Sequence, residues 1–184
     1  WLPETAVDRE TLRVLAEQGV LYTVLSPHQA SRIRPIGFGS RWKPIRHESI
    51  DTRQAYRIVL EHGRQLHLFF YDAPLSRAIA FSGLLNNGDN FAQQLLGAFG
   101  GRHDRSQLVS TATDGETFGH HHRFGEMALA YAVKKIEKEK PARLTNYGEF
   151  LSRQGSFWEV DIHDGTSWSC AHGIERWRSN CGCH

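Results

Sequence analysis

The sequence predicts an α/β fold built around a mainly parallel sheet. Two observations carry that expectation. Short runs rich in β-branched and aromatic residues alternate with amphipathic runs of helical period along the chain, the pattern from which layered and barrel α/β folds are assembled. Polar clusters also follow directly on strand-like runs, at Ser26-Pro27-His28-Gln29, Tyr71-Asp72 and Asp114-Gly115-Glu116, where folds of this class build their sites.

Residues 7–18, VDRETLRVLAEQ, read as a helix, with Asp8 as N-cap and Gly19 as the stop. VLYTVLSP at 20–27 reads as a buried strand ended by Pro27, and a polar loop containing Gly37 and Gly39 is expected through Arg46. AYRIVLE at 55–61 and LHLFFYD at 66–72 read as two strands that pair across Gly63. Two helical runs follow, PLSRAIAFSGLL and NFAQQLLGAF, closed by Gly100-Gly101. QLVSTATD at 107–114 reads as a strand and FGEMALAYAVKKIEKEK at 124–140 as an amphipathic helix ended by Pro141. ARLTNY is expected to be a short strand, GEFLSRQ a helix and FWEVDI at 157–162 the last strand, with an irregular tail.

The chain has 184 residues, long enough to bury a real core. It carries 22 Lys and Arg against 20 Asp and Glu, a net charge of +2, which excludes a strongly basic nucleic-acid binder. Its apolar runs are too short to span a bilayer, so no membrane partner is expected. The chain opens on Trp1 with neither an initiator Met nor a signal-peptide pattern. The expectation is one catalytic-type region over 1–184, cut from a longer chain at both ends and completed by its remaining segments. All three cysteines lie in the tail beside histidines, which suits a reducing, cytoplasmic setting better than a disulfide scaffold.

The densest ionisable segment is STATDGETFGHHHRFGE, which brings Asp114, Glu116, His120, His121 and His122 close in sequence. A carboxylate beside histidines suits proton transfer. The same residues would also serve as a cap and a solvated first turn. Glu4 follows the rigid, apolar Trp1-Leu2-Pro3. Read alone, it fits an acidic helix start better than a catalytic role. In the tail, Cys170, His172, Cys181 and Cys183 make a C-x-H-x8-C-x-C pattern ahead of His184. Three thiols and an imidazole could hold a structural zinc in a tetrahedral set, or remain three reduced cysteines.

WLPE at 1–4, LFFYDAPLSRAIAF at 68–81 and TDGETFG at 113–119 occur in this order. With the strand ending at His28, these segments resemble the successive motifs of glycoside hydrolase family 57. The resemblance extends to a branch carrying TDGETFGHHHRFGE and a TSWSCAHG…RW…CGC ending. It implies part of an incomplete seven-stranded (β/α) barrel that acts on α-linked glucans with retention of configuration and needs no cofactor for catalysis. By position, Glu4 matches the family's nucleophile and Asp114 its general acid/base. The segment at 68–81 departs from the family at Tyr71, where Arg is frequent, and at Arg77, where Asp is frequent.

A retaining pair needs its carboxyls ~5–5.5 Å apart. Glu4 and Asp114 are therefore expected at strand ends facing one cleft. Trp1, His28, Gln29, Asp72, Glu116, His120, His121 and Trp168 are the expected contacts to an oligo- or polysaccharide. Two rival readings stand beside the hydrolase or transglycosylase. One is a metal-dependent carbohydrate deacetylase, with Asp114, His120 and His122 on the ion. The other is a non-catalytic glycan-binding barrel.

Overall fold

The computed structural model describes residues 1–46, 49–101 and 105–183. They form two compact units. The first comprises Trp1–Phe70 together with the C-terminal segment from Gly155, and the second is Tyr71–Gln154.

The first unit holds the sheet. Its strands are β1 (Tyr22–Leu25), β2 (Ala30–Pro35), β3 (Lys43–Pro44), β4 (Tyr56–Val59), β5 (Gln65–Phe70) and β6 (Trp158–Ile162), in the order β1-β5-β4-β6-β2-β3. The α/β class holds, and the sheet is mixed. β1 pairs with β5 and β4 with β6 in parallel, whereas β4–β5, β2–β6 and β2–β3 are antiparallel. The expected pairing of the two runs around Gly63 is the β4–β5 ladder.

One side of the core is closed by α1 (Arg9–Glu17), whose Asp8 N-cap accepts the Thr11 N–H at 2.7 Å. Leu12 of α1 is buried with Leu25, Tyr56, Ile58, Leu66, Leu68, Phe70 and Val160. A fully buried Leu of this kind stabilises a fold by roughly 1.5–3 kcal/mol relative to leaving it exposed.

The polar stretch through Arg46, expected as loop, contains β2 and β3. Its charges hid the strand. Arg32 and Arg34 alternate on one face of β2 and meet Asp161 and Glu159 in register on β6, at 2.8 and 2.6 Å. Cross-strand ion pairs replace the apolar alternation on which a strand is usually recognised. Arg57 of β4 donates to the same Glu159 at 2.6 Å. Burial pushes the Glu159 carboxyl up, but the bonds from Arg57 and Arg34 prevail and hold it below the ordinary value.

The second unit is built from α2 (Ala73–Phe81), α3 (Gly88–Gly97), α4 (Gly125–Glu139) and α5 (Tyr147–Gln154). Leu75, Ile79, Leu84, Leu85, Phe91, Ala92, Ala128 and Ala132 form its core. α3 and α4 approach closely at Gly88, where a Cβ would lie 2.7 Å from the Tyr131 ring.

Two expected strands are absent from this unit. Residues 107–114 form no regular element and belong to no ladder. Their backbone is held instead at the start of α2, where the Asp72 N–H donates to the Ser110 carbonyl at 2.8 Å and the Ala112 N–H to the Ser76 hydroxyl at 3.0 Å. β-branched composition signals an extended backbone, but it does not supply a partner strand. Residues 142–146 are likewise without a ladder and Tyr147 already belongs to α5, which Asn146 begins by accepting the Glu149 N–H on its side chain at 2.9 Å. The tail, expected to be irregular throughout, contains a short helix, α6 (Glu175–Arg178).

Candidate active site

Glu4 lies in a 3-10 turn, Pro3–Thr5, instead of at a strand end. Both Glu4 and Thr5 adopt left-handed backbone conformations, at φ 55° and 49°. For residues with a Cβ this costs roughly 1–3 kcal/mol each and persists only where the surroundings impose it. Here they do. The Thr5 N–H donates to the Leu2 carbonyl at 3.0 Å and the Trp168 N–H to the Glu4 carbonyl at 2.9 Å. Val7 and Thr166 exchange backbone bonds in both directions, at 2.9 and 3.2 Å. The first residues of the chain are thus sewn to the segment after β6.

Gln29 completes this frame. It is fully buried. Its amide nitrogen donates to the Thr5 carbonyl at 2.8 Å and the Thr166 hydroxyl at 3.1 Å, and its amide oxygen accepts the Ser26 N–H at 2.8 Å. The expectation that Gln29 meets sugar hydroxyls is corrected, because every polar atom of its side chain faces protein. His28, also expected to contact sugar, has both ring nitrogens engaged, one with the Ser26 hydroxyl at 2.9 Å and one with the Ser167 carbonyl at 3.0 Å. With the Ser167 carbonyl as acceptor, Nε2 is the donor of that bond.

The Glu4 carboxylate has its own donors. The indole Nε1–H of Trp168 donates to Oε2 at 3.0 Å. The Ser169 hydroxyl is the strongest influence on this group and holds its pKa below the ordinary glutamate value. Partial burial opposes that shift, while Trp168 and the Arg176 guanidinium reinforce it. Arg176 also donates to the Ser169 hydroxyl at 3.1 Å, orienting it. The exposed Trp1 ring meets the half-buried Trp168 edge to face, with centroids 5.1 Å apart. Glu4 is therefore an ionised carboxylate with an aromatic wall beside it. Ser169 and Arg176 carry no recognisable signal in the sequence, since they meet Glu4 only through the tertiary fold.

In the second unit Asp114 is exposed and opens the turn Gly115–Thr117, its carbonyl accepting the Thr117 N–H at 3.0 Å. Glu116, His120 and His121 are exposed beyond it. The turn is closed by the His121 N–H on the Glu116 carbonyl at 2.8 Å, and the two histidine rings lie 5.1 Å apart. His122 is committed elsewhere, with Nε2 on the Ala80 carbonyl at 2.7 Å. Asp72 caps α2 by accepting the Leu75 N–H at 2.9 Å.

In the tail, Cys170, His172, Cys181 and Cys183 converge, with one ligand atom from each inside a 4.8 Å span. Their arrangement is compatible with a zinc site. They are the only residues among those described that bring three or more such ligand atoms together, so Asp114, His120 and His122 do not form a comparable set. His184 lies outside the described residues.

The sequence model described as Glycosyl hydrolase family 57 matches residues 1–161. The chain belongs to this family. Its fold is similar to two solved structures. One is an exo-type maltose-forming amylase from Pyrococcus sp. ST04, at 16% identity and TM-score 0.70, over 93% of this chain and 29% of that one. The other is a 4-alpha-glucanotransferase from Thermococcus litoralis, at 19% identity and TM-score 0.55, over 92% of this chain and 22% of that one. The chain thus spans less than a third of either neighbour. No curated protein matches it. No helix among the described residues is long and apolar enough to cross a membrane.

Proposed function

We propose that this family 57 chain carries the catalytic carboxyls of a retaining glycoside hydrolase or transglycosylase acting on α-linked glucans. The observation that supports the reading best is the Glu4 carboxylate, kept ionised by Ser169 and Trp168 on a strained backbone turn. A nucleophilic carboxylate must be charged at working pH and fixed in direction. The family membership and the two glucan-acting neighbours support the substrate class.

In the proposed reaction the Glu4 carboxylate attacks the anomeric carbon while Asp114, as the acid, protonates the departing glycosidic oxygen. A glycosyl ester on Glu4 results. Asp114 then takes a proton from water or from an acceptor sugar hydroxyl, whose oxygen displaces Glu4 and restores the original anomeric configuration. Trp1 and Trp168 offer rings for sugar stacking, and Glu116, His120, His121 and Asp72 offer polar contacts. Three free cysteines suit a reducing compartment, and the reading includes a cytoplasmic location.

The deacetylase reading would need an ion shared by Asp114, His120 and His122, and among the described residues these three do not bring their ligand atoms together. A glycan-binding barrel without turnover is separated from the enzyme by a trapping experiment on the full-length protein. A fluorinated α-glucosyl fluoride should leave one covalent sugar on the Glu4 peptide by mass spectrometry. Label on no peptide, with no hydrolysis or transfer across a panel of α-glucans, would sink the proposal.

A further inference from the structure

We propose that Cys170, His172, Cys181 and Cys183 hold one structural zinc ion, and that this ion fixes the loop whose Trp168 and Ser169 hold the Glu4 carboxylate. The consequence for catalysis rests on Glu4 being the nucleophile; zinc binding and the grip on Glu4 do not.

The geometry points to a closed tetrahedral site. With bonds of ~2.3 Å to sulfur and ~2.0–2.1 Å to nitrogen, a tetrahedron separates two sulfurs by ~3.8 Å and a sulfur from a nitrogen by ~3.6 Å. The Cys170 and Cys181 sulfurs are 3.8 Å apart. Nδ1 of His172 lies 3.9 Å from the Cys170 sulfur and 3.3 Å from the Cys183 sulfur. The Cys170–Cys181 separation is far from the ~2.05 Å of a disulfide. The His172 N–H donates to the Cys170 sulfur at 3.3 Å, the type of backbone bond that steadies a metal-bound thiolate. Four protein ligands leave no open position for substrate or water, so the ion would be structural.

α6 contains no buried residue. Cys170, which is buried, follows directly on Trp168-Ser169, the pair that grips Glu4. Gly173 locks the loop from the other side. It adopts φ 62°, and a Cβ there would lie 1.9 Å from the Gly165 carbonyl oxygen. A zinc ion held by residues 170, 172, 181 and 183 therefore ties both ends of the tail to the carboxylate clamp. Binding converts three thiols to thiolates and releases their protons to solvent.

The test uses the full chain purified without chelator. Elemental analysis should find about one equivalent of zinc, and X-ray absorption should find three sulfur neighbours near 2.3 Å and one nitrogen. Below about a tenth of an equivalent, iron in place of zinc, or two cysteines lost to a disulfide would overturn the ion. The grip on Glu4 is read separately from the 1H–15N signal of the Trp168 indole, assigned with Trp168→Phe. Removing zinc by chelator should shift that signal toward its position in Glu4→Gln, and returning zinc should restore it. An unmoved signal in zinc-free protein would overturn the positioning role. The double variant Cys181→Ser/Cys183→Ser should behave as the chelated protein does; if it fails to fold, the reversible chelation alone decides. In active protein, zinc removal should lower kcat on the order of 10–100-fold, with a much smaller change in KM. If the glucan activity itself is absent, zinc content and the indole signal still report on this proposal.

Discussion

Trp168 donates its indole N–H to the Glu4 carboxylate at 3.0 Å across 164 positions of sequence. The main chain repeats the link, with the Trp168 N–H on the Glu4 carbonyl at 2.9 Å. One residue therefore holds both the backbone turn and the carboxylate of the proposed nucleophile.

Replacing Trp168 with Phe keeps a ring and removes the donor. The expected result is a fall of roughly 10–100-fold in kcat/KM, the kinetic equivalent of one hydrogen bond to a charged group. Steady-state kinetics on an α-glucan would measure it.

Ser169→Ala should act through pH. The Glu4 carboxyl titrates below its ordinary value chiefly because of Ser169, so the acid limb of kcat/KM should lie low in the native protein and move upward in the variant. The sign for stability follows from linkage. A carboxyl depressed on folding contributes stability above its unfolded pKa of ~4.3, and that contribution is lost as pH falls through the lower folded value. Thermal unfolding between pH 6 and 3 should therefore show a smaller acid-induced loss for Glu4→Gln than for the native chain. An acid limb unchanged in Ser169→Ala would remove Ser169 from the site.

Asp114→Ala should cost about 10²–10⁴-fold on natural glucans, the usual range for a general acid/base. Substrates with a good leaving group, such as aryl glycosides, should lose far less in the glycosylation step, because that step no longer needs a proton. Equal losses on both substrate types would deny Asp114 the acid role.

Gln29→Leu should lower stability by more than about 2 kcal/mol, because it deprives the Thr5 carbonyl and the Thr166 hydroxyl of a buried donor. His28→Ala should also lower the melting temperature, since the ring bridges Ser26 and Ser167. Normal melting with impaired glycan binding would return His28 to the sugar-contacting set.

Gly173→Ala should destabilise the chain by more than about 1 kcal/mol, because a left-handed residue acquires a Cβ against the Gly165 carbonyl. Gly97→Ala is the control. Nothing lies within 4 Å of its added Cβ, and it ends helix α3, so unfolding should be unchanged or slightly harder.

Local chemistry determined much of this protein by itself. The period of residues 7–18 and the Asp8 cap specify α1, because capping and amphipathicity act within one turn. The runs at 20–27, 55–61 and 66–72 specify β1, β4 and β5 by their apolar, β-branched composition. The ordered motifs around Glu4 and Asp114 were enough to indicate the family. Long-range pairing was decided only by the tertiary structure. β2 was illegible because Arg32 and Arg34 find Asp161 and Glu159 more than a hundred residues away. Residues 107–114 have strand composition and no ladder, since pairing requires a neighbour that composition does not encode. Gln29 looked like a strand-end ligand until its amide was found buried between Thr5 and Thr166. Ser169 and Arg176 could not be singled out, because a hydrogen bond spans 3 Å of space and any distance in sequence.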